Sequence, residues 1–203
     1  MSQHYFSPRP QAPHRPGTVR VILPDVYLEL ETDAGVFSPG RLDPGTRLLL
    51  DAAPPPPRAG DLLDLGCGYG PVACVLAARS PAATVWAVDV NERALDLCAR
   101  NAARAGLANV RCVTPGPLPA SVAAIWSNPP VRIGKPSLHA LLRDWLGRLR
   151  GQAHLAVGRN LGADSLARWL TAEGWPVTRL AARSGYRLLQ VGTDGITAGG
   201  DPS

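Results

Sequence analysis

The segment Asp61-Leu62-Leu63-Asp64-Leu65-Gly66-Cys67-Gly68-Tyr69-Gly70 is a short apolar strand followed at once by three glycines at alternate positions. An apolar helix, Pro71–Arg79, comes next, and Ala83–Val88 is a second buried strand that ends at Asp89. The glycines permit a tight turn and keep side chains out of the way of a ligand. This order of strand, glycine turn, helix and strand predicts a parallel α/β sheet that binds a ligand at its carboxyl edge.

The rest of the chain continues the alternation of buried strands and helices. We predict strands at 110–113, 122–126, 152–157, 175–181 and 186–191, and helices at 91–105, 136–149 and 164–173. Such alternation indicates a largely parallel sheet covered by helices on both faces. The last two strands are separated only by a turn at Ser184 and Gly185, too short for a crossover helix, so they must form an antiparallel hairpin.

The residues before the glycine turn differ in character. Residues 18–37 read as short strands, including Gly35-Val36-Phe37, and Asp43 is a suitable N-cap for a helix over 44–52 that starts with Pro44. We therefore predict four parts: a flexible N-terminus over 1–17, a short β-rich hairpin and helix extension over 18–57, the ligand-binding α/β domain over 58–191, and a flexible tail over 192–203.

Composition excludes several classes of protein. No window approaches the roughly 20 apolar residues of a membrane span, and the polar, Pro-rich start has no apolar signal core. The four cysteines lack CxxC spacing and nearby histidine partners, which argues against a zinc site or a disulfide scaffold. We expect four small core residues in a reducing environment, hence a cytoplasmic protein without a metal and without a membrane partner.

The positive charge is unevenly distributed. The chain has a formal net charge of +5, and residues 132–187 hold 10 Lys and Arg against 3 Asp and Glu. This excess suggests an anionic partner, although a solvated basic surface would give the same count.

The glycine turn and the acid after it together predict a nucleoside-containing cofactor. Asp89 stands 19 residues past Gly70, at the end of the next strand, where a carboxylate can accept two hydrogen bonds from a ribose diol. The spacing is Gly-x-Gly-x-Gly rather than the Gly-x-Gly-x-x-Gly of dinucleotide folds, which favours a mononucleoside cofactor over a nicotinamide dinucleotide. A purely structural turn is the alternative.

A second motif, Ser127-Asn128-Pro129-Pro130, follows the strand at 122–126. Its two prolines cannot continue a helix or a central strand, so they form a rigid turn at the carboxyl edge. The Asn128 side-chain oxygen and the Pro129 carbonyl are then two acceptors that suit an amine with two N–H groups. Holding such an amine would direct its lone pair at an electrophilic methyl group, although a plain turn is the simpler reading.

In this order, the glycine turn, Asp89 and Ser127–Pro130 resemble the motifs of a class I S-adenosylmethionine-dependent methyltransferase of the amino-methylating type. The resemblance implies a Rossmann-like, seven-stranded, mostly parallel sheet with one antiparallel strand. It also makes residues 58–191 the S-adenosylmethionine-binding methyltransferase domain.

Three further segments narrow the resemblance. Gly35–Ser38, Leu42–Leu50 and Asn160–Ser165 are similar to the small methyltransferase domain of bacterial ribosomal RNA guanine-N2 methyltransferases. The similarity implies that guanine N2 of ribosomal RNA is the methylated amine. DNA adenine N6, a protein glutamine or a small molecule stay open as targets, and so does a non-catalytic module that binds S-adenosylmethionine or RNA.

By matching position, the resemblance also implies roles for individual residues. The residues that would hold the cofactor are Asp64, Gly66, Gly68, Gly70 and Asp89, with Phe37 and Ser38 closing over it and Asn128 bordering it. Asn128, Pro129 and Pro130 would form the catalytic turn that holds the amine.

Two departures from the family's pattern concern the substrate and the adenine. Val131 stands where the family commonly has an aromatic residue that stacks on the target base, and Thr114–Pro117 lacks the acid that often reads the adenine amine. Val131 is therefore expected to pack against the base without a π-face. The basic residues Arg132, Lys135 and Arg159 just past the strand ends are expected to contact RNA phosphates.

Overall fold

A seven-stranded sheet with helices on both faces forms the centre of the molecule. The structure is a computed structural model that describes residues 13–116, 118–130 and 133–192. In chain order its elements are β1 (Gly17–Ile22), β2 (Tyr27–Thr32), α1 (Pro44–Ala52), β3 (Ala59–Leu65), α2 (Pro71–Arg79), β4 (Ala82–Val88), α3 (Glu92–Arg104), β5 (Val110–Val113), β6 (Val122–Ser127), α4 (Lys135–Gly147), β7 (Leu149–Gly158), α5 (Ala163–Ala172), β8 (Val177–Arg183) and β9 (Tyr186–Val191).

The order of strands in the sheet is β5-β4-β3-β6-β7-β9-β8. Strands β3 to β7 pair in parallel, whereas β9 is antiparallel to both of its neighbours. The reason is the short link between β8 and β9, which allows a hairpin but no crossover. The predicted fold, a mostly parallel seven-stranded sheet with a β-rich extension before it, is confirmed.

Each face of the sheet is covered by its own set of helices. Along β3, Leu62 packs into the apolar cluster beneath α1, α2 and α3, and the next residue, Leu63, packs into the cluster beneath α4 and α5. Both side chains are fully buried, because successive residues of a strand point to opposite faces. A sheet covered on both faces exposes its ligand-binding groups only at its edges.

The hairpin of β1 and β2 is attached to the sheet domain through α3. The buried Asn101 side chain accepts a hydrogen bond from the Glu31 N–H at 2.7 Å and donates one to the Glu31 carbonyl at 2.8 Å. The same amide donates to the Tyr69 carbonyl at 2.9 Å, within the glycine turn. One asparagine thus joins the extension, α3 and the turn.

Most predicted helix ends are correct for the expected reason. Asp43 caps α1 and Asn91 caps α3 through their side-chain oxygens. The strand expected at Gly35–Phe37 is wrong: this segment is a turn, with Gly35 at a φ of 88°. Of the predicted flexible ends, residues 1–12 and 193–203 lie outside the described residues, whereas 13–17 are described and Gly17 already belongs to β1.

No helix within the described ranges has the length and apolar character needed to cross a bilayer.

Gly70 is required at the base of the glycine turn for two reasons. Its φ is 92°, a backbone conformation that favours glycine, and a Cβ there would lie 2.6 Å from the Cys98 sulfur. Gly174, which follows α5, has nearly the same φ of 91° but no heavy atom within 4 Å of a built Cβ. Substitutions at these two glycines therefore distinguish the cost of backbone strain from the cost of steric overlap.

We expect Gly70→Ala to destabilise the protein more than Gly174→Ala. Gly174→Ala is the control, and it should lower the free energy of unfolding by about 1 kcal/mol, because alanine disfavours a left-handed backbone. At Gly70 the overlap with Cys98 on α3 should lower it by about 1–3 kcal/mol more. Equilibrium unfolding in urea measures both. Equal losses for the two variants would contradict the packing argument.

Candidate functional site

A cavity of about 160 Å³ opens at the carboxyl edge of the sheet, where β3, β4 and β6 end side by side. In the paired strands Leu65 lies opposite Val88 on one side and Ser127 on the other. The residues that follow these three partners are Gly66, Asp89 and Asn128, and all three line the cavity. The structure therefore brings together the glycine turn, the acid and the asparagine that the sequence singled out.

The glycine turn bends sharply over the end of β4. The N–H groups of Gly66 and Cys67 both donate to the Val88 carbonyl, at 2.8 and 3.0 Å. Gly66 and Gly68 have φ angles of 80° and 56°, which favour glycine, and both border the cavity. A Cβ on Gly66 would lie 3.9 Å from Pro130 Cδ, so the two turns approach each other closely.

Asp89 holds the turn from the neighbouring strand. One carboxyl oxygen accepts from the Gly68 N–H and the other from the Asn91 N–H, each at 2.9 Å. Burial raises the pKa of the Asp89 carboxyl, and these backbone hydrogen bonds oppose that rise. Each oxygen retains further acceptor capacity toward a ligand in the cavity.

Asp64 lies below the turn rather than on the main cavity. It is 1% exposed, and one of its oxygens accepts from the Ala73 N–H at 2.8 Å. Burial raises the pKa of this carboxyl to about 8. Asp64 borders a second, smaller cavity of about 30 Å³, which also contacts Ser38 and Asn128.

The Asn128–Pro130 turn is fastened to the neighbouring strand and to α1. The Ser127 hydroxyl donates to the Leu65 carbonyl at 2.6 Å, which ties the end of β6 to the end of β3. The Asn128 Nδ2 donates to Asp43 Oδ2 at 2.7 Å and to Thr46 Oγ1 at 3.2 Å. Because the amide nitrogen serves these acceptors, Oδ1 is the side-chain atom of Asn128 left for a ligand.

The other predicted cofactor residues differ in their relation to the two cavities. Phe37 lines both cavities and is 36% exposed. Ser38 lines only the smaller one, and its hydroxyl donates to the Arg41 carbonyl. Gly70 lines neither cavity and packs on Cys98 instead.

Two of the predicted substrate-binding residues, Lys135 and Arg159, lie farther out. Lys135 begins α4 and Arg159 follows β7; both are exposed and neither lines the main cavity. Arg159 instead borders a shallow hollow beside the β8–β9 hairpin. Val131 and Arg132 lie outside the described residues.

The sequence interpretation missed several residues of the cavity wall. Tyr186, at the start of β9, and Val90, directly after Asp89, both line it, and Asp43 contacts Asn128 and Tyr186. The sequence held a signal for two of these residues. Tyr186 begins an antiparallel strand, which starts at the edge where the parallel strands end. Val90 follows Asp89, and a residue beside a ribose-binding acid lies close to the ligand. The role of Asp43 had no signal beyond helix capping.

The cysteines form no metal site in the part of the chain that the structure describes, where no group of three or more His, Cys, Asp and Glu could hold an ion. All four cysteines are free, and burial raises the pKa of the Cys74 thiol to about 12. These thiols remain protonated near neutral pH and act as core residues.

Comparison with known proteins identifies relatives of this chain. The family model described as methyltransferase small domain matches residues 27–190. Bacillus subtilis protein YbxB is 33% identical over 198 residues, which cover 94% of this chain and 98% of the relative. Ribosomal RNA small subunit methyltransferase C of Ectopseudomonas mendocina is 40% identical over 173 residues, which cover 82% of this chain and 51% of the relative.

Among solved structures, the T. thermophilus 16S rRNA N2 methyltransferase RsmC, in complex with AdoMet and guanosine, superposes with a TM-score of 0.74 at 22% identity. The match covers 89% of this chain and 51% of that one. The chain thus spans about half the length of the ribosomal RNA methyltransferases that it matches. Since the family model covers nearly all of the paired strands and YbxB matches almost end to end, the chain belongs to the methyltransferase small domain family, which confirms the resemblance to class I methyltransferases drawn from its motifs.

Proposed function

We propose that the protein transfers a methyl group from S-adenosylmethionine to an exocyclic amine, and that this amine is guanine N2 of ribosomal RNA. The observation that carries the proposal is the single cavity that has Gly66, Gly68 and Asp89 at one part of its wall and Asn128–Pro130 at another. Such a cavity can hold a nucleoside cofactor and a second reactant in contact.

The residues at the glycine turn fit the cofactor. Gly66 and Gly68 present backbone without side chains, and the Asp89 carboxylate can accept hydrogen bonds from the ribose hydroxyls. Asp64, beneath the turn, is a buried carboxyl with a raised pKa, and a cationic ligand group nearby would favour its charged form. We assign Phe37 and Ser38 to the covering side of the same region, and Gly70 to the shape of the turn.

The residues after β6 fit the amine. Asn128 Oδ1 and the Pro129 carbonyl would accept hydrogen bonds from the two N–H groups, which leaves the nitrogen lone pair directed into the cavity. Bound S-adenosylmethionine supplies an electrophilic methyl group on sulfur. The amine held by Asn128 Oδ1 and the Pro129 carbonyl would be in position to accept that methyl group, and the proton that the nitrogen then gives up would pass to solvent. Orientation of this kind accounts for most of the rate enhancement expected here.

Ribosomal RNA is supported by the relatives' names and by charge. Four arginines of the basic segment 132–187, Arg159, Arg179, Arg183 and Arg187, line the hollow beside the β8–β9 hairpin, which shares Tyr186 with the main cavity. Arg183 is paired with Asp51 and Arg187 with Asp164, while the described residues include no acidic partner for Arg159 or Arg179.

We assign Arg159, Lys135 and Arg132 to phosphate contacts and Val131 to packing against the base, which must leave its stack to reach the cavity. A ribosomal substrate also places the protein in the cytoplasm. An amine on DNA adenine, a protein glutamine or a small molecule would use the same clamp, and its detection is an outcome of the substrate assay below.

We expect Asp89→Asn to weaken binding of S-adenosylmethionine by about 10-fold or more, because a hydrogen bond to a charged acceptor contributes about 1.5–3 kcal/mol. Calorimetric titration with S-adenosylmethionine measures the affinity. Asp96→Asn, an exposed acid on α3, makes the same charge change away from the cavity and should bind normally. Equal affinities for the two variants would remove Asp89 from the cofactor site.

We expect Asn128→Ala to lower turnover by at least about 100-fold, the typical effect of deleting one oriented polar group at a reaction centre. Affinity for S-adenosylhomocysteine should change little. The control is Asn109→Ala; the Asn109 side chain donates to three backbone carbonyls at the amino edge of the sheet, beside the start of β4, and lines neither cavity. A fully active Asn128→Ala enzyme would contradict the amine clamp.

We expect the protein to methylate small-subunit ribosomal RNA that lacks its natural modifications, and mass spectrometry of the digested RNA to find N2-methylguanosine. The affinity for RNA should fall steeply as salt rises, since phosphate contacts release counterions. Methyl transfer to DNA adenine or to glutamine, with ribosomal RNA left unmodified, would contradict the substrate and leave the methyltransferase intact.

A further inference from the structure

Asp43 is a buried acid that the sequence marked only as a helix cap. It is 7% exposed, and its carboxylate accepts hydrogen bonds from four groups. Oδ2 accepts from the Gly45 N–H at 2.7 Å, the Thr46 N–H at 3.0 Å and Asn128 Nδ2 at 2.7 Å. Oδ1 accepts from the Tyr186 hydroxyl at 3.2 Å. Two of these donors belong to the cavity wall and lie 85 and 143 residues away in the chain.

Capping α1 does not require this arrangement. A serine, whose side chain is shorter than that of aspartate, caps a helix about as well. Oδ2 of Asp43 bonds both the helix end and Asn128, and Oδ1 bonds Tyr186 in β9, whereas a serine offers a single oxygen one bond closer to the backbone. The longer side chain therefore serves the groups beyond the helix.

The contact with Asn128 settles which way its amide faces. A carboxylate accepts hydrogen bonds and never donates them, so the amide must direct Nδ2, not Oδ1, toward Asp43. Thr46 Oγ1 is a second acceptor on the same side, at 3.2 Å. With both N–H groups of Asn128 engaged by α1, Oδ1 is left to face a ligand as an acceptor. A rotated amide would present a donor to the amine instead.

The contact with Tyr186 fixes a second part of the wall. The Tyr186 ring lies against the start of α1, where a Cβ on Gly45 would be 2.4 Å from the ring. The hydroxyl of the same ring donates to Asp43. The cap and first turn of α1 thus fix the position of Asn128 relative to Tyr186.

We propose that Asp43 is a positioning residue for methyl transfer, which holds the Asn128 amide with its oxygen toward the target amine and anchors Tyr186 beside it. The proposal rests on the proposed role of Asn128 as the acceptor for that amine. Asp43 does not line the main cavity; it borders the smaller one, together with Asn128.

Three substitutions separate capping from positioning. Asp43→Ser keeps a good N-cap but removes the acceptor that reaches Asn128 and Tyr186. Asp43→Asn keeps an oxygen that can occupy the place of Oδ2, and its amide can donate to the Tyr186 hydroxyl. Thr46→Val removes the weaker acceptor and keeps the backbone N–H of the helix end.

We expect kcat to depend on the acceptor that residue 43 offers to Asn128, and not on the capping of α1. With unmodified small-subunit ribosomal RNA, we expect Asp43→Ser to lower kcat by at least about 10-fold, Thr46→Val by less, and Asp43→Asn to retain most of the activity. Affinity for S-adenosylhomocysteine and the urea midpoint should stay near those of the unmodified protein. Added to Asn128→Ala, the Asp43→Ser change should cause only the smaller loss that arises through Tyr186, since its effect on the Asn128 amide is already absent.

A second readout needs no substrate. In ¹⁵N-labelled protein, the side-chain amide signals of Asn128, identified by their loss in Asn128→Ala, should be protected from exchange with water. Protection should persist in Asp43→Asn and disappear in Asp43→Ser.

The outcomes distinguish this inference from the function on which it rests. A fully active Asp43→Ser enzyme beside an inactive Asn128→Ala would overturn the positioning role alone. So would an Asp43→Ser protein that loses activity only together with stability or cofactor affinity, or one whose Asn128 amide stays protected. An active Asn128→Ala enzyme would overturn the clamp and this inference together.

Discussion

The site depends on the pairing of β3 with β4 on one side and with β6 on the other. In a parallel sheet the chain leaves neighbouring strands at the same edge, and where the strand order reverses direction a crevice opens between the departing segments. Here the pairing sets Leu65 level with Val88 and Ser127. The residues that follow must then meet, although 62 residues of chain separate Leu65 from Ser127. The fold alone creates the contact between the two motifs.

The sequence was most informative where one residue type satisfies a local constraint. Asp43 and Asn91 were recognisable as caps because their side chains bond N–H groups two or three residues away. Helix α2 was placed correctly because a buried run bounded by turn residues leaves little freedom. Gly35–Phe37 was misjudged as a strand because its apolar residues suited one, whereas the positive φ of Gly35 imposes a turn.

The site was predictable only as far as its residues follow strand ends. Gly66, Asp89 and Asn128 each follow a strand end. Tyr186 instead begins β9, and it lies at the same edge because β9 is antiparallel to its neighbours. The contact between Asp43 and Asn128 obeys no local rule, since it depends on where α1 packs in the folded protein. Arg159 shows the opposite error: it follows a strand end, yet its exposed side chain borders the hollow beside the β8–β9 hairpin rather than the cavity. Position in the chain specified the edge but not the direction of the side chain.

The polar groups of the site are held mainly by backbone, which has consequences for its rigidity. Asp89 is bonded to two N–H groups, Asp64 to one, and Asp43 to the two at the start of α1. Backbone donors cannot rotate away, so each carboxylate keeps its orientation before any ligand arrives. The cost of ordering these groups is thus met during folding rather than at binding, which is the condition for an arrangement that accelerates a reaction chiefly through orientation. Asn128 is held differently, because its Nδ2 needs acceptors rather than donors, and these come from the side chains of Asp43 and Thr46 at the start of α1.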